Sequence, residues 1–172
     1  MRKLVLLMLF TLILAGCSEE YNYETEGPFI IVTTSPAGPD DYRNFFPRNI
    51  SIHSDGTLRI YTESFGELII GKDAPIFVTQ LEEEQVETIK ELIEKHNFLK
   101  LEENLEDPAV MDGGYEYITV VLSDTSKKVG GLNPNHEALS EIIDYVYELV
   151  DNDSYNYWRQ QVKEYIYERY PD

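Results

Sequence analysis

Residues 50 to 63 read ISIHSDGTLRIYTE, two alternating runs joined by Ser54-Asp55-Gly56. Asp-Gly readily takes the positive backbone angles of a tight hairpin turn, so the stretch predicts two antiparallel strands. Ile50, Ile52, Leu58 and Ile60 fall on one phase of the alternation and are its expected buried face. Upstream, PFIIVTT (28–34) is the first β-branched run and predicts the first strand. Between the two, SPAGPDDYRNFFPRN (35–49) packs three prolines and a glycine into fifteen positions and reads as a loop. Its Phe45 and Phe46 are expected to cap the core, a contact patch being the alternative. Downstream, ELIIGK (67–72) and PIFVT (75–79) suggest a further strand and its exit.

The pattern then changes period. LEEEQVETIKELIEKHN (81–97) carries Val86, Ile89 and Ile93 at three- and four-residue spacing, with Leu92 widening the stripe, and predicts a helix docked at its exit by Phe98 and Leu99. An acidic loop (100–114) precedes YEYITVVLSD (115–124), a strongly alternating strand whose partner is KKVGGL (127–132). Asn133-Pro134 reads as a cap and first-turn proline opening a helix through Val150, striped by Leu139, Ile142, Ile143, Val146 and Leu149. A last helix is expected over 155–170, with Trp158, Val162, Tyr165, Ile166 and Arg169 at helical spacing. Hairpin, helix, hairpin, helix and one appended helix imply a single α+β domain over 28–172: an antiparallel sheet built from hairpins, with two or three amphipathic helices on one face. The repeated order also suggests a degenerate duplication. Over residues 50–150 this order resembles small α+β domains of unassigned function in bacterial lipoproteins, a resemblance that implies a fold and transfers no catalytic residue.

The chain begins MRKLVLLMLFTLILAGCSEE. Its apolar run, residues 4–14, would span about 16 Å as a helix, half of a bilayer core of about 30 Å. With Arg2 and Lys3 before it and Ala15 and Gly16 after it, the segment has the three parts of an export signal. Leu14-Ala15-Gly16-Cys17 resembles the lipobox of bacterial lipoproteins. The resemblance implies removal of residues 1–16 by cleavage between Gly16 and Cys17, and a diacylglycerol on the Cys17 sulfur. Two acyl chains anchor where one binds only reversibly. Residues 17–27, CSEEYNYETEG, then read as a lipidated tether holding the domain off the membrane. The expected location is the extracytoplasmic side of a cell membrane.

Of 14 basic and 32 acidic residues, the first sixteen positions hold two basic and no acidic ones. The mature formal charge is therefore 12 minus 32, or −20. Such a surface argues against nucleic acid as a partner, because phosphate binding rests on basic side chains.

Catalytic constellations do not emerge from the spacing. His53, Ser54 and Asp55 are consecutive and so alternate sides at a hairpin end. His53, His96 and His136 are scattered, and with Cys17 acylated no zinc set is implied, leaving surface or capping roles. DNDSYNYWRQQV (151–162) begins like a calcium loop, but Asn156 stands where glycine is needed and Val162 where a bidentate glutamate belongs. An interhelix turn with a Ser154 cap accounts for it better. No metal and no cofactor are expected.

Tyrosine is the unusual residue, 13 in all, with Tyr-x-Tyr at five places. Its broad apolar body and polar tip suit sugars or another protein. Tyr115, Tyr117, Tyr155, Tyr157 and Trp158 are the candidate contacts for a ligand or partner. The function that follows is a non-catalytic binding, sensing or interaction module facing a cell-envelope protein or wall glycan. The alternatives are a wall-associated glycan hydrolase using Glu102, Glu103 or Asp112, and an inhibitor of a secreted enzyme.

Overall fold

The computed structural model describes residues 21–37, 46–64, 69–107, 109 and 113–171. Strands β1 (Pro28–Ala37), β2 (Arg48–His53), β3 (Thr57–Tyr61) and β4 (Phe77–Gln80) precede helix α1 (Glu83–Lys95). A 3-10 turn (Phe98–Lys100), β5 (Gly113–Val121), β6 (Ser126–Leu132), α2 (Glu137–Glu148) and α3 (Asn152–Arg169) follow. The six strands form one antiparallel sheet in the order β4-β3-β2-β1-β5-β6, so the fold is α+β as the pattern predicts. The predicted hairpin is β2-β3, its turn closed by the Gly56 amide on the His53 carbonyl at 3.0 Å, with Gly56 at φ 85°.

The register sets the inner face out in rows. Leu58, Ile52, Ile30 and Val120 lie side by side across four strands. Two residues along, Ile60, Ile50, Val32, Ile118 and Val129 form the next row across five. All nine side chains are buried, and the helices bury their stripes over them: Val86, Ile89 and Ile93 of α1, Leu139, Ile142, Ile143 and Val146 of α2, and Trp158, Val162 and Ile166 of α3. Glu141 of α2 ties the first two helices together, accepting from Lys95 Nζ and meeting His96 Nε2, both at 2.6 Å.

Several expectations are corrected. The fourth strand is Phe77–Gln80, not the ELIIGK run, whose described residues 69–72 lie outside the sheet with Ile69 72% exposed. Asn133 does not cap a helix: it sits at φ 46° closing the β5-β6 ladder, its Oδ1 accepting from the Gly114 amide at 3.0 Å. The cap of α2 is His136, whose Nδ1 accepts from Ala138, and α3 is capped by Asp151 accepting from Ser154 at 2.9 Å, not by Ser154. Residues 21–27 of the expected tether are described, and Tyr23 among them docks on the domain. Tyr23 pairs with Leu122, places its ring edge-on to Phe29 at 5.5 Å and donates its hydroxyl to the Lys90 carbonyl, because burying an aromatic body outweighs leaving it in water. The two hairpins β2-β3 and β5-β6 lie on either side of β1, with β4 added beyond β3.

The acidic loop has a backbone role. Gly130 donates to the Glu103 carbonyl at 3.0 Å, Leu105 to Gly130 at 2.8 Å and Asp107 to Leu132 at 3.2 Å, so the loop covers the β6 edge. A side chain at 130 would collide with the β5 backbone, a Cβ there falling 2.0 Å from the Glu116 carbonyl oxygen.

Candidate functional site

Beyond the two apolar rows the inner face changes character. The next register row is Arg48, Thr34 and Glu116, with Thr34 opposite both of the others. A cleft of about 410 Å³ opens between this row and the start of α3. It is lined by Thr34, Arg48 and Glu116 of this row, by Ser35 and Tyr115 next along their strands, and by Phe46, Tyr155 and Arg159. Gly113 and Gly114 contribute only backbone, which leaves that wall without side chains.

Arg48 organises the site. It is half-buried, its Nε donates to Thr34 Oγ1 at 2.5 Å, and its Nη1 donates to the Tyr155 hydroxyl. The guanidinium carbon lies 4.9 Å from the centre of the Tyr147 ring and 5.5 Å from that of Tyr155, so both rings contribute cation–π attraction. Burial pushes the Tyr147 hydroxyl above its ordinary range against the opposing pull of Arg48, which keeps it a neutral donor, and it reaches Thr34 Oγ1 at 3.5 Å. A smaller cavity of about 210 Å³ lies on the other side of the Arg48–Tyr155 contact, against Ile50, Val150 and Asn152.

Beneath the cleft is Trp158, 1% exposed. Its indole donates to the Pro75 carbonyl at 2.9 Å, Phe46 meets it edge-on at 5.9 Å, and Tyr155 is tilted against it at 5.8 Å. Two of the residues lining the cleft therefore rest on one fixed core side chain.

The predicted contact residues divide accordingly. Tyr115 and Tyr155 line the cleft. Tyr117 stacks parallel on Tyr115 with centroids 6.4 Å apart, and Lys128 Nζ lies 4.1 Å from its ring centre. Tyr157 is 67% exposed and lies outside the cleft lining. Trp158 is a correction: it anchors the core and is not accessible to a partner. Of the acidic candidates, Glu103 pairs with Lys127 at 3.2 Å, Glu102 is exposed, and Asp112 lies outside the described residues, as do Gly16, Cys17 and Phe45. Among the described residues no three His, Cys, Asp or Glu side chains are grouped to hold a metal ion, and no helix is long and apolar enough to cross a membrane.

Arg48, Thr34, Glu116 and Arg159 do not stand out from the sequence as site residues. A signal existed for three of them: each continues the inward phase of its strand, Arg48 before Ile50 and Ile52, Thr34 after Ile30 and Val32, Glu116 before Ile118 and Val120. A polar residue on an inward phase marks where a core ends or a site begins. No protein-family model matches the chain, and comparison with curated proteins gives no significant match.

Proposed function

We propose that this chain is a membrane-tethered extracytoplasmic lipoprotein whose folded part is a non-catalytic binding module, with the cleft beside Arg48 as its contact site. The tether rests on Leu14-Ala15-Gly16-Cys17 behind its apolar run. The observation that carries the binding role is the fixed set of cleft walls, in which Arg48 is bonded to Thr34 and Tyr155 while Tyr155 and Phe46 rest on Trp158. A concave site with apolar walls and a few oriented polar groups is the usual form of a ligand pocket.

Two experiments test the reading. Metabolic labelling with a fatty-acid analogue is expected to mark the wild type and not Cys17→Ala; an unlabelled wild type removes the tether. A photocrosslinking residue at position 46, in the cleft lining, is expected to give an adduct in the envelope that the same residue at exposed position 157 does not give. Equal adducts at both, or none at 46, count against the cleft.

A further inference from the structure

The cleft differs in charge from the molecule around it. The chain has 14 basic and 32 acidic residues, yet among the described residues the charged lining of the cleft is Arg48, Arg159 and Glu116, a formal net of two minus one, or +1. A concave wall with an excess of one sign focuses its field on whatever enters. This local excess of positive charge favours a negative group, against the net negative charge of the chain as a whole.

We propose that the cleft binds the carboxylate group of a small ligand, with Arg48 as its principal contact and Arg159 lining the same space. This deepens the binding-module reading and rests on it. Three features of Arg48 lead to this ligand class. First, its hydrogen bonds through Nε and Nη1 go to neutral hydroxyl oxygens, those of Thr34 and Tyr155. A guanidinium carries five donors, so capacity remains for a charged acceptor. Second, the Tyr147 and Tyr155 rings both lie within cation–π distance of the guanidinium and help hold it in place. A planar two-oxygen acceptor matches the guanidinium edge in a forked pair. Third, Glu116 lines the same cleft and opposes a second negative charge, favouring a carboxylate over a phosphate dianion. Phe46 and the Tyr155 ring provide apolar surface for the body of the ligand.

The same carboxylate chemistry is carried by a peptide C-terminus and by an acidic sugar, and matched probes separate the two. The purified protein is titrated with N-acetyl-dialanine and its C-terminal amide, with glucuronate and glucuronamide, and with inorganic phosphate. Binding is read by calorimetry and by the emission of Trp158, the one tryptophan in the chain, which packs on cleft-lining Phe46 and Tyr155. At least one carboxylate is expected to bind saturably, its neutral counterpart about tenfold more weakly or not at all, as when a charge-assisted pair becomes a neutral hydrogen bond. Whichever carboxylate binds more tightly identifies the source.

Arg48→Gln is expected to abolish the difference between acid and amide. Should that variant not fold, Arg159→Gln is expected to reduce the difference severalfold. Equal binding of acid and amide, tighter binding of phosphate than of either carboxylate, or no binding of any probe overturns the proposal. If the probes fail while the residue at 46 still crosslinks, the binding module stands and only the ligand class is wrong. If the wild type is not lipid-labelled while the carboxylate binds, the tether is wrong and the site stands.

Discussion

The two ends of the inner sheet face are built from the same strands and behave differently. At one end, Leu58, Ile52, Ile30 and Val120 lie side by side with no exposed surface beneath the helices. At the other, the same phase of β1, β2 and β5 supplies Thr34, Arg48 and Glu116, and the surface opens into a cleft. Alternation alone decides which side chains face inward. The chemistry of each inward position then decides whether the helices seal the face or leave it open. The closed end maintains the fold, and the open end is the one we propose for the ligand.

That division predicts unequal responses to substitution. The largest is at the junction of the two ends: Trp158→Ala removes the side chain on which Phe46 and Tyr155 rest and is expected to cost about 3–5 kcal/mol in urea unfolding. Loss below about 1 kcal/mol would mean that the cleft walls are held by something else. Ile30→Ala, in the middle of the closed end, is expected to cost about 2–5 kcal/mol by the same measurement and to leave ligand affinity unchanged. Arg48→Met sharpens the contrast. A half-buried cation bonded to neutral hydroxyls pays a desolvation cost, so its replacement by an apolar chain of similar length is expected to change stability by less than about 1 kcal/mol in either direction. A loss of several kcal/mol would make Arg48 a structural residue.

The smallest effect comes from acid, and it lies away from the cleft. Asp55 is held below its ordinary value by the Thr57 amide, Asp73 by the Tyr165 hydroxyl and Arg169, Asp151 by the Ser154 amide, and Glu141 by Lys95 and His96. Groups whose folded-state values are depressed contribute stability that is complete above their unfolded values and is lost as pH falls through the folded ones. The unfolding midpoint is therefore expected to be flat near neutrality and to decline once pH drops below the ordinary 3.8 of aspartate and 4.5 of glutamate. Asp151→Asn should make that decline shallower. A midpoint that rises on acidification would contradict the assignment.

The closed end was legible because its signals are local. Asp55-Gly56 fixes the hairpin, and Ile50, Ile52, Leu58 and Ile60 alternate cleanly on either side. The helix stripes are equally plain, and Val86, Ile89 and Ile93 are buried as their spacing requires. The misreadings arise where local pattern and tertiary pairing compete. Ile69 and Ile70 make a more apolar run than Phe77–Gln80, yet β3 pairs with the latter. Asn133 followed by proline has the local form of a helix start, but the β5-β6 ladder claims its side chain through Gly114.

The cleft was the least legible part, because it is assembled from residues far apart in the chain. Tyr155 meets Arg48 across 107 positions, and neither spacing nor composition brings them together. Arg48 also stands at the end of a proline-rich stretch, where the first inward position of β2 is hidden by what precedes it.

The location of the site is tested most directly by mapping amide shifts in a heteronuclear NMR titration of the purified protein with N-acetyl-dialanine and with glucuronate. The residues moved by whichever probe binds are expected to cluster at 34–36, 46–48, 113–116 and 155–159, with the α1–α2 side of the molecule still. Shifts centred on the Glu141 contact with Lys95 and His96, or spread evenly over the tyrosines, would contradict a binding site beside Arg48.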